Sequence, residues 1–260
     1  MFSLCIPTMD RFDNYLKTFI TNYLKNPYIS EIVISDENGN DALKINQYFP
    51  KNIEINQKIK IFVNKNKLGP FFNKLKVCSY ATNEWIALID SDNFADIDYF
   101  YKMKQFIESV NPSKNSILSP DYGNDIFQWK HLSSLPVPTN VINRKSYKTL
   151  KQIDDINSKL YNGNTGCISH LMNLGNYVIN KFLIDNLDIS GENFLTQNSD
   201  CFDVLLFNLL CFEQLDLNFY IINDVKYIHS TSTDSIYLRT IKHLRPYAEK
   251  AYNRFYHFFA

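Results

Sequence analysis

The feature that most limits what this chain can fold into is a rhythm over residues 2–90: short apolar runs alternate with segments of helical spacing. "FSLCIP", "EIVIS", "KIKIFVN" and "EWIALID" are runs of strand length, rich in Ile and Val. Between them, "FDNYLKTFITNYLK" places Phe12, Leu16, Phe19, Ile20, Tyr23 and Leu24 at helical spacing, and "ALKINQYF" predicts a short helix. "PFFNKLKVCSYAT" opens with proline, which favours the first turn of a helix. This alternation predicts an α/β fold with a parallel, Rossmann-like central sheet, right-handed crossovers and flanking helices. In such sheets ligands bind beyond the carboxyl ends of the strands. Here those ends are Pro7–Asp10, Asp36–Asp41, Asn64–Gly69 and Asp90–Asn93, all polar or rich in Gly and Pro, and all expected on one edge.

After residue 93 the rhythm weakens. "DIDYFYKMKQFIESV" reads as a helix and "SILSP" as a strand, while 121–175 is irregular. "NYVIN" reads as a strand leading into "KFLIDNL", and "SDCFDVLLFNLLCFEQ" as a helix begun by Ser199 or Asp200. "NFYIIN" and "VKYIH" read as two strands. The last segment, "SIYLRTIKHLRPYAEKAYNRFYHFF", is a long helix expected to kink or break at Pro246. The expected organisation is one domain over 1–235 and a helical extension over 236–260.

Lys plus Arg number 27, as do Asp plus Glu, so the chain offers no global field for bulk nucleic-acid binding. Five cysteines with no C-x-x-C pair suggest free thiols in a reducing compartment and argue against a zinc or disulfide framework. "MFSLCIPTMD" lacks the basic start of a signal peptide, and no run reaches the length of a membrane span. The expectation is a cytoplasmic chain.

The end of the fourth run carries the chemistry. Asp90 and Asp92 are two apart, so on an extended segment both carboxylates point to one side and repel. A divalent cation removes that conflict, and hard oxygen ligands suit Mn²⁺ or Mg²⁺, which take phosphate oxygens as further ligands. The plainer alternative is a surface turn or a helix N-cap.

"SLCIPTMDR", "EIVISDENGND", "NKNKLG" and "EWIALIDSDN" resemble, in order and spacing, the motifs of GT-A-fold glycosyltransferases, particularly the family-2-like ones. The resemblance covers roughly the first 95 residues well and the remainder loosely. It implies a metal-dependent transferase acting on a nucleotide-sugar donor, with UDP the first choice of nucleotide. It makes 1–95 the nucleotide-binding half and 96–235 the acceptor half. Pro7, Thr8 and Asp10 would line the nucleotide pocket, with Arg11 beside it. Asp36 would accept a hydrogen bond from the base, and Glu37 would face the ribose. Gly69 would allow close backbone approach, and Lys74, where the family often has Arg, would lie near the phosphates. Asp90 would touch ribose or metal, Ser91 would lie on the donor side, and Asp92 would bind the metal. Asn93 replaces a frequent third Asp. Asp36 is equally readable as a turn former, and Lys65, Lys67 and Lys74 as a solvated basic face.

For the second half the resemblance implies an inverting reaction with an acidic general base at the start of a helix. Asp200 is the first candidate and Asp203, about one turn on, the reserve; Asp200 could equally be a plain N-cap. Gly175 and Asn176 would support the donor sugar and acceptor. His229 would be a third metal ligand or a structural histidine. Tyr122, Trp129, His131 and Tyr161 could stack on a sugar face or simply pack. The expected acceptor is a hydroxyl of a glycan, a lipid-linked molecule or another compound. The terminal helix, with Arg239, Lys242, His243, Arg245, Lys250 and Arg254, could pack on its own domain, on a second copy in a homodimer, or on an anionic membrane surface. A nucleotidyltransferase and a non-catalytic glycan-binding protein are the competing readings. The first is disfavoured because "IPTMDRFD" contains no glycine.

Overall fold

A computed structural model describes residues 1–123, 141–143, 176–228, 230 and 236–259, with backbone alone at 121–123, 236–238, 256 and 259. The four apolar runs form strands β1 (Phe2–Thr8), β2 (Ile29–Asp36), β3 (Ile59–Val63) and β4 (Trp85–Leu88). They pair in parallel in the order β3-β2-β1-β4. The crossovers are helices α1 (Lys17–Leu24), α2 (Asn40–Tyr48) and α3 (Gly69–Ser79). A π-helical turn at Phe12–Leu16 leads into α1, and Pro70 sits in the first turn of α3.

The second half adds β5 (Phe94–Ala95), α4 (Tyr99–Val110), β6 (Ser116–Gly123), β7 (Val141–Ile142) and β8 (Tyr177–Asn180). It continues with α5 (Lys181–Asn186), α6 (Asn193–Thr196), α7 (Asp203–Leu215), β9 (Asn218–Ile228) and α8 (Ile236–Phe259). Among the described residues the sheet has nine strands, its main path running β3-β2-β1-β4-β8-β6-β9-β5. Beyond β4 it is mixed: β8 is antiparallel to β4 and β6, β6 is parallel to β9, and β5 and β7 are antiparallel to β9.

Strand parity sorts the side chains into two cores. Leu4, Ile6, Ile32, Ile34, Ala87 and Ile89 join the cluster containing Phe19, Ile20 and Phe100 of α1 and α4. Cys5, Val33, Ile86 and Leu88 face the other way, into the cluster built from Val77 and Cys78 of α3 and from α7 and α8. Both faces of β1, β2 and β4 are therefore covered, as a parallel sheet between helix layers requires. Each buried aliphatic side chain contributes about 1.5–3 kcal/mol, so this sorting fixes the register firmly. Continued past Leu88, the same alternation delivers Asp90 to the α3 and α7 side.

Three sequence expectations are corrected. "NFYIIN" and "VKYI" form the single strand β9, because Asp224 takes φ +60 and the pairing with β6 shifts register between Pro120 and Tyr122 instead of ending. Helix α7 begins at Asp203 and not at Ser199 or Asp200, which belong to a preceding turn closed by Phe202 N–H to Ser199 O at 2.9 Å. Helix α8 does not break at Pro246. An interior proline costs about 3 kcal/mol, but Leu244, Tyr247, Ala248, Ala251 and Phe255 pack into the core on both sides of it. Arg254 adds forks to Glu192, at 2.7 Å twice, and to Glu213, at 2.8 and 2.6 Å, so α8 is fastened to its own domain. Among the described residues no helix is long and apolar enough to cross a membrane.

Candidate active site

The sheet's strand order turns at β1. The chain first builds outward through β2 and β3, then returns to place β4 on the other side of β1. The carboxyl ends of β1 and β4 thus flank the switch point where a doubly wound sheet opens a crevice.

After β1 the chain makes a tight turn, with Asp10 at φ +56. Asp41 holds this turn. Its buried carboxylate accepts from Thr8 Oγ1 at 2.5 Å, from Arg11 N at 3.0 Å and from Phe12 N at 2.9 Å. The π-helical turn therefore starts on an acid donated by α2, 30 residues away in sequence. Asp41 escaped the sequence reading; its only local signal is an acidic residue in the first turn of a helix. Exposed Asp10 accepts from Asn38 Nδ2 at 2.9 Å and Asn40 Nδ2 at 2.7 Å, and these bonds lower its carboxyl below the ordinary range. Half-buried Pro7 lines the same edge.

Asp36 and Glu37 both accept hydrogen bonds from the backbone of the donor half. Asp36 is fully buried, and its oxygens accept from Asn38 N at 3.2 Å and Ala42 N at 2.8 Å. It closes the β2–α2 turn. Glu37 is also buried and accepts from Leu68 N at 2.7 Å, which ties the loop before α3 to β2. Burial raises both carboxyls, and the backbone N–H groups only partly offset it.

The Asp-Ser-Asp segment is not extended. Asn93 N–H reaches Asp90 O at 3.0 Å, which closes a turn that lets the chain double back into β5 against β9. The two carboxylates then meet different cations. Asp90 Oδ1 lies 2.9 Å from Lys74 Nζ, whereas Asp92 Oδ2 lies 3.8 Å from an Arg11 guanidinium nitrogen. Burial and the charge of Asp90 push the Asp92 carboxyl up to about 6, against the pull of Arg11. Burial alone would lower the Lys74 ammonium, but Asp203 and Asp90 outweigh it and hold its pKa above the ordinary value.

Asn176 is buried with φ +61, and its Oδ1 accepts from Asp90 N at 3.0 Å. It ties the start of β8 to the acidic turn. Ser91 and Asn93 are buried too, and Asn93 Oδ1 accepts from Ser230 N at 3.0 Å. His229 and Gly175 lie outside the described residues, as do Trp129, His131, Tyr161 and the side chain of Tyr122. On either side of His229, Ile228 pairs with Phe94 and Ser230 bonds Asn93, so β9 ends beside the acidic turn.

Asp200 comes up to the site from the turn before α7. A Cβ added at Gly69 would lie 3.3 Å from Asp200 Oδ1, so this carboxylate touches the first residue of α3. Gly69 has φ +79, so both its conformation and its close neighbour favour glycine. Burial and the charge of Asp203 raise the Asp200 carboxyl, as a proton acceptor needs. Asp203 is committed instead to Lys74, at 2.9 Å.

A family model described as glycosyl transferase family 2 matches residues 3–171, more than half of the chain. The chain belongs to glycosyltransferase family 2. Its fold matches that of TarS residues 1–349 from S. aureus in complex with UDP, at TM-score 0.58 and 13% identity, covering 95% of this chain and 64% of that one. GalNAc-T7 with UDP, GalNAc and Mn²⁺ aligns at TM-score 0.55 and 12% identity, over 93% of this chain and 47% of that one. The chain thus spans about two thirds or less of these two structures. At such identities the likeness is one of fold, and it bears out the GT-A architecture. No curated protein matches the chain by sequence.

The donor set of this family 2 chain fits a divalent cation. Asp90 and Asp92 offer hard oxygens from a single turn, and burial together with the charge of Asp90 raises the Asp92 carboxyl. Among the described residues no cluster of three or more metal-ligating side chains is assembled. A cation held there would take carboxylate oxygens from this turn, with phosphate oxygens and water as further ligands.

Proposed function

We propose that this chain is a metal-dependent glycosyltransferase that moves a sugar from a UDP-sugar to a hydroxyl acceptor with inversion. The observation that carries this reading is the meeting of the Asp90–Asp92 turn with the cations Arg11 and Lys74 at the β1–β4 switch point, with Asp200 against Gly69, the first residue of the helix that carries Lys74. TarS was solved with UDP and with UDP-GlcNAc, and GalNAc-T7 with UDP and Mn²⁺, which supports a uridine donor and a divalent ion.

When bound, Mn²⁺ or Mg²⁺ would neutralise the charge that develops on the leaving diphosphate. Asp92 would be a ligand to it, with Asp90 beside it held by Asn176 and Lys74. Arg11, fixed by Asp41, faces the same diphosphate. The half over 1–95 holds the donor and 96–235 the acceptor, while α8 braces the fold. Asp200 takes the acceptor hydroxyl proton as that oxygen attacks the anomeric carbon and the bond to the diphosphate breaks. One displacement inverts the centre.

A panel of nucleotide sugars with and without Mn²⁺, read by UDP release and by the anomeric configuration of the first product, tests this. Asp200→Asn is expected to lose transfer while keeping UDP affinity by calorimetry. A chain that releases no UDP from any donor at any metal concentration would instead be a non-catalytic binder.

A further inference from the structure

The Lys74–Asp203 pair does more than fill space. Lys74 Nζ sits 2.9 Å from both Asp90 Oδ1 and Asp203 Oδ2, with 15% of the lysine side chain and 13% of the Asp203 side chain exposed. One ammonium thus joins the acidic turn after β4, the donor-side helix α3 and the first residue of α7. Among the described residues, three carboxylates (Asp90, Asp92, Asp203) and two cations (Lys74, Arg11) meet around the turn, a formal sum of −1. Without Asp203 the sum is zero, because Lys74 then neutralises Asp90 alone. Without Lys74 the sum is −2.

We infer that Asp203 and Lys74 are positioning residues that set the charge of the acidic turn, and so the balance between its affinity for a divalent cation and for a diphosphate. Asp203 shares the ammonium with Asp90 and leaves the turn negative enough to attract metal. Lys74 limits that charge, so a diphosphate is not repelled. This rests on the proposed donor site but makes a separate prediction, because the two residues act with opposite sign.

The test measures Mn²⁺ affinity by electron paramagnetic resonance without nucleotide, and UDP affinity by calorimetry without metal, with melting curves to show that each variant folds. Asp203→Asn should weaken Mn²⁺ and tighten UDP, each on the order of tenfold. Lys74→Met should do the reverse by a similar factor. The double variant restores the sum to −1 and should return both affinities towards wild type. It also replaces the pair by neutral side chains, so it remains informative if Lys74→Met alone does not fold.

A pair that merely packs would weaken both ligands in every variant, and that outcome overturns the inference. Wild-type Mn²⁺ binding with no crossed shift does so too, while leaving the donor-site reading in place. Crossed UDP shifts with no Mn²⁺ binding in any protein would uphold the charge role and reject the metal. Failure of all proteins to bind either probe would reject both.

Discussion

Gly69→Ala probes the contact between the donor loop and the proposed base. Gly69 has φ +79, where an L-residue pays roughly 1–2 kcal/mol. The lost chain freedom of the unfolded state returns about 0.4–1 kcal/mol. The net loss is on the order of 1 kcal/mol, or roughly 2–4 °C in melting temperature for a chain of this size. The new Cβ would also stand 3.3 Å from Asp200 Oδ1, tighter than an ordinary contact, so the carboxylate must give by a few tenths of an ångström. Displacing a reacting group by about 1 Å can cost ~100-fold in rate, so a shift of this size is expected to lower kcat about tenfold. UDP affinity should stay within about threefold, because the proposed diphosphate contacts are Arg11 and the acidic turn. The control is Gly191→Ala, whose Cβ meets nothing within 4 Å; it should change stability by less than about 0.5 kcal/mol and leave kcat alone. Calorimetric melting and steady-state UDP release decide the matter. A lower melting temperature with unchanged kcat would remove Asp200 from the chemistry, and no change in either would refute the geometry of the loop.

Other perturbations separate scaffold from site. The folded Asp92 carboxyl lies near 6, above its ordinary value, so its contribution to stability is full below about pH 4 and is lost as pH rises through about 6. Asp92→Asn should therefore melt higher than wild type at pH 8 without metal, by up to about 3 kcal/mol, and no higher at pH 4; equal melting at pH 8 would contradict this. Asp41→Ala strands the Thr8 hydroxyl and the Arg11 and Phe12 N–H groups, and urea unfolding should show a loss of about 3–5 kcal/mol. Asp36→Asn should cost about 1–3 kcal/mol of stability and change UDP affinity by less than about threefold. A loss of UDP affinity beyond about tenfold in a folded Asp36→Asn protein would return Asp36 to the base pocket.

The donor half was legible because its information is local. β1 to β4 show as apolar runs, α1 to α3 as helical spacing, and the strand ends as turn chemistry, and the parallel order follows from handed crossovers. The partners of the site residues were not legible, because they are set by distant pairing. Asp36 looks open after a strand, but Asn38 N and Ala42 N fold back onto it. Asp41 reads as an ordinary first-turn acid until β1 brings Thr8 and Arg11 to it. Asp90 and Asp92 would share one side of an extended segment, yet the two-residue strand β5, too short for any periodicity, forces a turn and sends them to different cations. Asp200 and Asp203 look equivalent at helical spacing, and only the late start of α7 separates a carboxylate touching Gly69 from one held by Lys74.

The central claim is that the acidic turn after β4 binds a divalent cation shared with the donor diphosphate. Anomalous diffraction from crystals grown with Mn²⁺ and UDP reads this directly. The account predicts a manganese peak about 2.0–2.2 Å from an Asp92 oxygen and from a UDP phosphate oxygen. UDP bound in the crevice with no manganese at this turn, or manganese and UDP bound away from the β1–β4 edge, would contradict it.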